Sequence, residues 1–380
     1  MREGGILVLN AGSSSLKFSL FDSTLGASIS GLAEIGVQGT LRINATTTRR
    51  NLPDHPSALE AILTALAARG ATPQHLGAAA HRVVHGGQAL RAPVRLTPEN
   101  LARIRACIPL APLHNPHNIA AIDALAQRVP GLAQFASFDT AFHRTIPEVA
   151  ARYALPDIPE TAGIRRYGFH GLSYGALVRA WPGVTGTPLP RRLLAFHLGN
   201  GASICAILDG RSVATTMGFS PLDGLTMGTR PGGIGADAVL KLVEENGLPR
   251  TREILLGESG LAGLSGGLSD MRALLASPTQ KARFAIEHFT YWSRRHGGSL
   301  MAALGGLDAI AFTGGIGENA AEIRADILAG LDWAGVETDA SATGPRLHGP
   351  DSRVAVWIIP AEEEKQIARE ALNLLRQGDG

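Results

Sequence analysis

Three glycine-rich segments each follow a short apolar run, and this pattern constrains the fold more than any other feature of the chain. They are Asn10-Ala-Gly-Ser-Ser-Ser-Leu-Lys-Phe18, His197-Leu-Gly-Asn-Gly-Ala-Ser203 and Thr313-Gly-Gly-Ile-Gly-Glu-Asn319. Glycine lets the backbone approach an anion closely and adopt positive φ, so that successive N–H groups can converge on phosphate oxygens. Because ligands collect at the carboxyl ends of strands in α/β sheets, the three segments predict an α/β protein that binds polyphosphate.

Length and charge narrow the class of protein. At 380 residues the chain is too long for a single hydrophobic core, and we expect two domains. The formal charge of +2, from 35 basic and 33 acidic residues, leaves no basic stripe that could follow a nucleic-acid backbone. Nucleic acid is therefore not an expected partner.

The cysteines and the amino terminus suggest a location. Cys107 and Cys205 each lie in an apolar stretch, which predicts two buried reduced thiols rather than a disulfide framework. Residues 6–9 form the only apolar run before the polar turn at Asn10, which is too short for a signal peptide. No run approaches the roughly 20 apolar residues that span a bilayer, so we expect a cytoplasmic protein with no membrane partner.

Strands and helices are interleaved along the chain, as in α/β folds. Residues 6–9 and 16–21 predict a hairpin whose turn is the first glycine-rich segment. Further strands are expected at 133–138, 193–198 and 309–312, and helices at about 237–245, 270–276, 279–304 and from about 364.

Several helix starts carry a capping signal. Ser57 and Glu60 have the spacing of a capping box for a helix that opens at Pro56 and ends at Gly70. Thr97 and Asn115 each precede a proline and are predicted to cap helices that begin at about 98 and 116.

Asn319 is predicted to cap a helix that begins at Ala320. The amino terminus of that helix would then lie beside the third glycine-rich segment, where the helix dipole favours an anion.

The chain also contains an internal similarity. Residues 7–22 lie over residues 194–209 without gaps and match strand, turn and strand, although only one leucine, one glycine and one aspartate coincide. A duplicated domain is the stronger interpretation, and chance similarity of two hairpins is the alternative.

Seven strings, in order along the chain, resemble the acetate kinase family. They are the Asn10 to Phe18 segment, His81-Arg-Val-Val-His-Gly-Gly87, Phe138-Asp-Thr-Ala-Phe-His143, Arg166-Tyr-Gly-Phe-His-Gly171, His197-Leu-Gly-Asn-Gly201, Met227-Gly-Thr-Arg230 and Gly314-Gly-Ile-Gly-Glu-Asn319. The resemblance implies two duplicated domains of the actin-like ATPase (ribonuclease H-like) fold, residues 1–150 with about 364–380 and residues 151–363, with a nucleotide cleft between them. It also implies phosphoryl transfer between ATP or ADP and a short carboxylate, with Mg²⁺ (or Mn²⁺), in a homodimer.

The chemistry of such a transfer needs cations more than it needs a base. A short carboxylate is already ionised at neutral pH, and its charge has to be tolerated beside a triphosphate. Arginine remains charged and binds carboxylate or phosphoryl oxygens in a forked geometry. The resemblance implies that Arg82 binds the substrate carboxylate and that Arg230 stabilises the transferring phosphoryl group; for either residue alone, a surface ion pair is the alternative.

Four further residues take catalytic or metal roles from the resemblance. His170 would donate a hydrogen bond to the phosphoryl oxygens in the transition state. Asp139 and Asn10 match positions that organise Mg²⁺ and phosphates, and for Asp139 we favour this over an acid or base role. Glu363 is the aligned metal-site glutamate, and Glu364 is the alternative.

The resemblance also implies a nucleotide site. Lys17 would lie on the phosphate side, or be a solvated strand lysine. The other expected nucleotide contacts are His197, Leu198, Gly199, Asn200, Gly201, Asp270, Met271, Arg272, Gly314, Gly315, Ile316, Gly317, Glu318 and Asn319.

The substrate pocket is expected to be small and apolar. The aligned positions are Val84, Leu113, Phe169 and Pro221, all of which are alternatively core residues. A valine at position 84 leaves less room in the pocket than an alanine would, which favours acetate over propionate. One methylene changes the binding free energy of the substrate by only about 1–3 kcal/mol.

Two other classes of protein fit part of the sequence. A metal hydrolase is suggested by His114-Asn-Pro-His117 and by the pair His81 and His85, but no third ligand follows at a telling spacing. A non-catalytic ATP-binding clamp would share the fold, but it would not need two arginines and a histidine at the phosphate.

Overall fold

The computed structural model describes residues 4–339 and 341–378, which divide into two compact units. Unit 1 contains the described residues up to Phe142 and those from Glu362 onward, and unit 2 contains the described residues of His143–Ala361. The resemblance alone placed these boundaries near residues 150 and 363.

The strands of the described residues are numbered in chain order. They are β1 Gly5–Ala11, β2 Ser15–Phe21, β3 Ala27–Glu34, β4 Gly36–Ile43, β5 Thr46–Leu52, β6 Leu76–Val83, β7 Val94–Arg95, β8 Gln134–Phe138, β9 Arg192–Leu198, β10 Ala202–Leu208, β11 Arg211–Thr215, β12 Ala309–Thr313 and β13 Ala355–Ile358.

The α-helices follow the same numbering. They are α1 His55–Ala67, α2 Pro98–Ala106, α3 Asn115–Arg128, α4 Glu148–Ala151, α5 Gly171–Thr185, α6 Ala236–Glu253, α7 Gly260–Ser265, α8 Met271–Ala276, α9 Gln280–Leu304, α10 Gly314–Asn319, α11 Ala321–Leu328 and α12 Glu363–Gly378. Short 3₁₀ turns occupy Pro73–His75, Ile108–Leu110, Ala141–Thr145, Pro159–Thr161 and Asp332–Ala334, and a π-helical turn occupies Ile254–Glu258. No helix of the described residues is both long enough and apolar enough to cross a membrane.

Unit 1 is built on a mixed sheet with the strand order β5-β4-β3-β2-β1-β6-β8-β7. The predicted hairpin is confirmed, because β1 and β2 pair antiparallel from Ile6 opposite Phe21 to Ala11 opposite Leu16. Leu7 and Leu9 of β1 join the core cluster that α1 and α3 cover. Since neighbouring strand residues face opposite sides, the other face of β1 is left for α12, which packs against β1, β6 and β8.

Unit 2 has a five-stranded sheet in the order β11-β10-β9-β12-β13. β9 pairs antiparallel with β10 and parallel with β12. Phe196 and Phe312 stack in the core with ring centroids 5.1 Å apart, and α9 packs against β9, β10 and β11.

The two units repeat one topology, which confirms the duplicated domain. The run β3-β2-β1-β6-β8 in unit 1 has the same order and directions as β11-β10-β9-β12-β13 in unit 2. The gapless alignment that pairs residue 7 with residue 194 also aligns the elements themselves. Both ends of β1 coincide with those of β9, and both ends of β2 coincide with those of β10. The similarity between the two hairpins is therefore structural.

The predicted capping box at the start of α1 is wrong. Asp54 is the N-cap, and its side chain accepts a hydrogen bond of 2.8 Å from the backbone N–H of Ser57. Asp54 takes this place because Pro56 fits the first helical turn, where a missing N–H costs nothing. Glu60 instead forms an exposed ion pair with Arg128 at 2.7 Å.

The capping prediction is right for α2 and wrong for α3. Thr97 accepts from the N–H of Asn100 at 3.3 Å. Asn115 is not a cap: its side chain accepts from the N–H of His85 at 3.1 Å and donates to the His85 carbonyl at 3.0 Å. The buried N–H and C=O groups of His85 need hydrogen-bond partners. Because the Asn115 side-chain amide supplies them, it does not cap the helix.

The capping prediction at Asn319 is also wrong. The third glycine-rich segment is itself the short helix α10, and the Asn319 amide donates to the carbonyl of Gly315 at 2.9 Å within it. The next helix, α11, has Ala320 as its N-cap without a side-chain hydrogen bond. Glycines that suit a loop also allow a tight helical turn, so the sequence pattern did not separate the two.

The remaining predicted elements are present with shifted ends. The predicted helix at 237–245 runs on to Glu253, past a kink at Gly247, whose φ is +75°. Thr279 caps α9, and Asp270 caps α8 by accepting from Arg272 and Ala273.

Candidate active site

In unit 1 the candidate site lies at the carboxyl ends of three neighbouring strands. Asn10 is near the end of β1, Arg82 is near the end of β6, and Asp139 follows β8 directly. β1, β6 and β8 are parallel, so their carboxyl ends meet at one edge of the sheet.

Arg82 and Asp139 form a forked ion pair at this edge. The Nε and Nη2 atoms of Arg82 donate to the two carboxylate oxygens of Asp139 at 2.9 and 2.6 Å. Burial raises the pKa of Asp139, and the contacts with Arg82 oppose that rise. Because Asp139 is only 2% exposed, its charge depends on this arginine.

The third nitrogen of Arg82 faces two other site residues. Nη1 lies 3.4 Å from Oδ1 of Asn10 and 4.0 Å from a carboxylate oxygen of Glu363. Burial acts to lower the pKa of Arg82, but the charges of Asp139 and Glu363 outweigh it and raise that pKa. Glu364 points to a different cation, since it contacts Lys17 at 2.5 Å.

The donor set at this edge fits a hard cation bound mainly through water and phosphate. Asn10 and Glu363 offer amide and carboxylate oxygens, the ligands that Mg²⁺ prefers, and Mg²⁺ needs only one or two of them. Among the residues that the structure describes, no three His, Cys, Asp or Glu side chains are grouped so as to hold a metal, and this includes the histidines that suggested a hydrolase.

The structure adds supporting residues that the sequence reasoning missed. Asn118, buried on α3, donates to the Ala11 carbonyl at 2.8 Å and accepts from the Val84 N–H at 3.1 Å. His55 on α1 donates from Nε2 to the carbonyl of Gly12 at 2.7 Å. Two buried asparagines in His114-Asn-Pro-His-Asn118 were the available signal, because buried amides usually satisfy a backbone that leaves regular pairing.

In unit 2, His170 stands at the start of α5 in a left-handed conformation, with φ of +59°. Its Nδ1 lies 2.9 Å from the hydroxyl of Ser203, and its ring stacks on His197 with centroids 4.1 Å apart. His197 is held in the same way, since its Nδ1 lies 2.8 Å from the hydroxyl of Ser173. A left-handed backbone at a histidine is uncommon and often marks a functional position.

Arg230 and His170 both lie close to Gly201. A Cβ atom added to Gly201 would lie 3.1 Å from Nε2 of His170 and 3.4 Å from Nη2 of Arg230, so both groups border this glycine. Arg230 donates from Nη1 to the Pro221 carbonyl at 2.6 Å, and no carboxylate pairs with it in the described part of unit 2. Arg230 is partly buried, and burial lowers its pKa, so its charge is available to an anionic ligand.

A cavity of about 760 Å³ opens beside the second glycine-rich segment. Eight of the predicted nucleotide contacts line it, namely Gly199, Asn200, Asp270, Met271, Arg272, Gly315, Ile316 and Asn319. Sequence reasoning missed Ser269, Leu275 and Ala320, which complete the lining and carry no chemical signal of their own. The volume is that of a site for a small organic ligand or cofactor.

The other predicted nucleotide contacts have mainly structural neighbours. A Cβ on Gly314 would lie 2.7 Å from the carbonyl oxygen of Leu198, so only glycine lets α10 approach β9 this closely. Glu318 accepts from the N–H groups of Gly314 and Ala361 at 3.0 and 2.9 Å. Leu198 and Gly317 are buried.

The predicted substrate-pocket residues are distributed over both units. In unit 1, Val84 is buried after β6, whereas Leu113 is exposed. In unit 2, Phe169 is buried and its carbonyl oxygen accepts from Nε2 of His143 at 2.8 Å, and Pro221 holds Arg230 through its carbonyl.

Two units with one repeated strand order, each with a hairpin whose turn carries a glycine-rich segment, define an actin-like ATPase fold of the ribonuclease H-like kind. Residues 5–369 match the profile of the acetokinase family, and the chain belongs to that family. It is therefore a phosphotransferase whose acceptor is a carboxyl group.

Named relatives match over nearly the full length. The chain is 46% identical to an acetate kinase of Rhodopseudomonas palustris, with 98% of this chain and 99% of that protein covered. It is 39% identical to an acetate kinase of Bacteroides thetaiotaomicron, with 98% of this chain and 100% of that protein covered.

Solved structures give the same result. The acetate kinase of Porphyromonas gingivalis has a TM-score of 0.89 at 34% identity, with 98% of this chain and 100% of that one covered. A propionate kinase of Francisella tularensis has a TM-score of 0.91 at 36% identity, with 97% of this chain and 98% of that one covered.

Proposed function

We propose that this protein transfers the γ-phosphoryl group of ATP reversibly to acetate, which gives acetyl phosphate and ADP. The observation that carries the proposal is the partly buried Arg230 guanidinium, which borders Gly201 together with Nε2 of His170; Gly199 and Asn200 of the same segment line the 760 Å³ cavity. A positive charge and a hydrogen-bond donor at one point are what a phosphoryl group needs as its charge spreads in the transition state. The acetate kinases that match the chain over nearly its full length support acetate as the acceptor.

Arg82 binds the acetate carboxylate through its Nη1 edge. Nε and Nη2 remain with Asp139 at 2.9 and 2.6 Å, while Nη1 has only the longer contacts to Asn10 and Glu363. Asp139 then acts by holding the guanidinium in place. It does not need to remove a proton, because acetate is already ionised at neutral pH.

Nucleotide binding falls to the lining of the cavity and to the second glycine-rich segment. Asn200 and Gly199 contribute backbone groups at the phosphate end, and Ile316 and Met271 offer apolar surface for the base. His170 donates a hydrogen bond to the equatorial phosphoryl oxygens, and Arg230 neutralises their charge.

Asn10 and Glu363 would hold Mg²⁺, with Mn²⁺ as the alternative ion. Glu364 forms an ion pair with Lys17 instead. When bound, the metal supplies positive charge that neutralises phosphate oxygens.

The experiment that tests the proposal measures acyl phosphate with hydroxylamine. Purified protein with ATP and Mg²⁺ is given acetate, propionate or butyrate in turn. We expect kcat/KM to be highest for acetate and lower by about tenfold for propionate, since one methylene is worth about 1–3 kcal/mol. A higher kcat/KM for propionate would favour the alternative that the Francisella structure suggests. Absence of any hydroxamate would contradict the proposed class of acceptor.

Two further properties belong to the proposal. Both cysteines are buried and unpaired, as expected for a protein of the reducing cytoplasm.

Two copies of the chain associate through α9, which exposes Phe284 and Tyr291 by 53% and 57% at helical spacing. Exposed aromatic side chains on one helical stripe are typical of a protein interface.

The test of association is light scattering after size-exclusion chromatography. The wild-type protein should have the mass of a dimer, and Phe284→Asp with Tyr291→Asp should give a folded monomer because charge is placed on the apolar stripe. Leu155→Asp, at another exposed apolar position, is the control that should leave the mass unchanged. A wild-type monomer at all concentrations would rule out the dimer.

A further inference from the structure

Ser203 is a polar residue in a strand that is otherwise apolar. The strand β10 reads Ala-Ser-Ile-Cys-Ala-Ile-Leu, and Ser203 is 0% exposed. A buried hydroxyl costs free energy unless it is hydrogen-bonded. Its two partners are Nδ1 of His170 at 2.9 Å and the phenol oxygen of Tyr174 at 2.5 Å, so the hydroxyl bridges the histidine to a tyrosine.

The direction of this bridge follows from the tyrosine. Burial raises the pKa of Tyr174 well above its ordinary value, and it outweighs the hydrogen bond that the phenol oxygen receives from the backbone of His197. The phenol therefore keeps its proton while its oxygen accepts from a peptide N–H. Its own O–H can then donate to Ser203, which leaves the Ser203 O–H free to point toward Nδ1 of His170.

We propose that Ser203, backed by Tyr174, is a positioning residue that fixes His170 in the tautomer protonated at Nε2. An imidazole that accepts at Nδ1 carries its proton on the other nitrogen. Nε2 is the atom that borders Gly201 and Arg230, so the N–H is aimed at the point where the phosphoryl group is proposed to react. The reversed bridge, with Nδ1 as donor, would present a lone pair to a negatively charged phosphoryl oxygen and repel it.

The stacked neighbour, His197, also has a serine hydroxyl at Nδ1, so this contact alone does not distinguish His170. The hydroxyl is that of Ser173, 2.8 Å away. The phenol of Tyr174 extends the bridge on the side of His170, the ring whose Nε2 borders Gly201.

The direct test is a long-range ¹H–¹⁵N correlation spectrum of protein labelled with ¹⁵N-histidine, in which the spectrum of His170→Gln assigns the His170 signals. The wild-type protein without ligand should show Nε2 protonated and Nδ1 as an acceptor. Ser203→Ala should convert this pattern to a mixture of tautomers, and Tyr174→Phe should cause a smaller shift in the same direction. A wild-type signal from Nδ1–H, or an unchanged pattern in folded Ser203→Ala, would overturn the proposal.

A second test uses steady-state kinetics and rests on the proposed phosphoryl transfer. Ser203→Ala should lower kcat about tenfold with KM for ATP within about twofold, as expected for one net hydrogen bond. In the His170→Ala background, Ser203→Ala should cause no further loss; an independent tenfold loss there would overturn a role through His170. A wild-type protein that makes no acyl phosphate but keeps Nε2–H would contradict the proposed function and still support the tautomer assignment.

Thr226→Val is the matched control. Thr226 is also buried, and its hydroxyl lies 3.0 Å from Nδ1 of another histidine, His288. It should lower the melting temperature about as much as Ser203→Ala does but leave the His170 signals in place. Loss of the His170 pattern in both variants would show a general packing effect and overturn the proposal.

Discussion

At the scale of single residues, the pair of Arg82 and Asp139 governs the site in unit 1. Both oxygens of a carboxylate that is 2% exposed accept from one guanidinium. A buried carboxylate that loses such a partner costs about 3–5 kcal/mol of stability. With the carboxylate-binding role proposed for Arg82, function and stability would be coupled at this pair.

We predict that Arg82→Ala lowers kcat for acyl phosphate formation by at least about 100-fold and also destabilises the protein by about 3 kcal/mol. The stability loss should grow from pH 5 to pH 8. Without Arg82, the main opposition to the burial that raises the pKa of Asp139 is gone, so the folded state favours the protonated acid and its stability falls as pH rises through that raised pKa. Urea unfolding at both pH values measures this.

The double variant Arg82→Ala with Asp139→Asn is the control for that prediction. A neutral amide at position 139 removes the buried charge, so most of the stability should return while the activity stays low. If activity returned with stability, Arg82 would have no role in binding the carboxylate.

Sequence reasoning found these residues but not their arrangement. The motif resemblance selects Arg82, Asp139 and Asn10, because each lies in a string of unusual residues. It assigned Asp139 to organising Mg²⁺ and phosphates, which stays a prediction, and it did not contain the fork to Arg82, which arises only when β6 and β8 pair in register. Ser203 was missed for the same reason, since a lone serine gains meaning only from the atom it meets.

At the scale of elements, close backbone approach shapes the second glycine-rich segment. Gly201 lies against His170 and Arg230, and a Cβ there would be 3.1 and 3.4 Å from their nitrogen atoms. Contacts this short force the neighbouring side chains to move by a few tenths of an ångström.

We predict that Gly201→Ala lowers kcat by about tenfold or more with little change in stability, because small misplacement of positioned groups costs rate. Gly298→Ala is the control: an added Cβ there meets nothing within 4 Å, so activity should stay near the wild-type value. Steady-state kinetics and thermal melts of both variants test this. Equal activity of Gly201→Ala and wild type would show that catalysis does not depend on the present positions of the His170 ring and the Arg230 guanidinium.

Elements were predicted well where periodicity decides and poorly where capping decides. The hairpin of β1 and β2 follows from apolar runs on both sides of a glycine-rich turn, and it is present. The helix starts near 56 and 116 were right to within one residue, but the caps of α1 and α3 were wrong, because Asp54 competes with Ser57 and because Asn115 is needed by the buried peptide of His85. Such competition is decided by tertiary contacts that a local pattern does not contain.

At the scale of the whole molecule, the fold class could be predicted because the ordered motifs are spread over most of the chain, and the duplication could be predicted from the similarity of residues 7–22 to residues 194–209. The resemblance put the domain boundaries near residues 150 and 363, and the compact units divide after Phe142 and after Ala361.

Buried neutral histidines should make the whole protein sensitive to acid. Burial lowers the pKa of His81 and of His143 to about 4, against an ordinary value of 6.5. Between these values the unfolded chain binds the protons, so the stability present above pH 6.5 should fall as the pH falls toward 4. Urea midpoints at pH 7 and pH 5 measure it, and a smaller loss is expected for His81→Asn. A midpoint that does not fall at pH 5 would contradict the neutral, buried state of these rings.

The most direct test of the central claim is ³¹P NMR of the purified protein with ATP, Mg²⁺ and acetate. We expect the γ-phosphoryl signal to be replaced by acetyl phosphate and ADP in equal amounts, and we expect His170→Ala and Arg230→Ala to slow this conversion strongly while nucleotide still binds. Release of inorganic phosphate with no acetyl phosphate, or full activity in either variant, would contradict that claim.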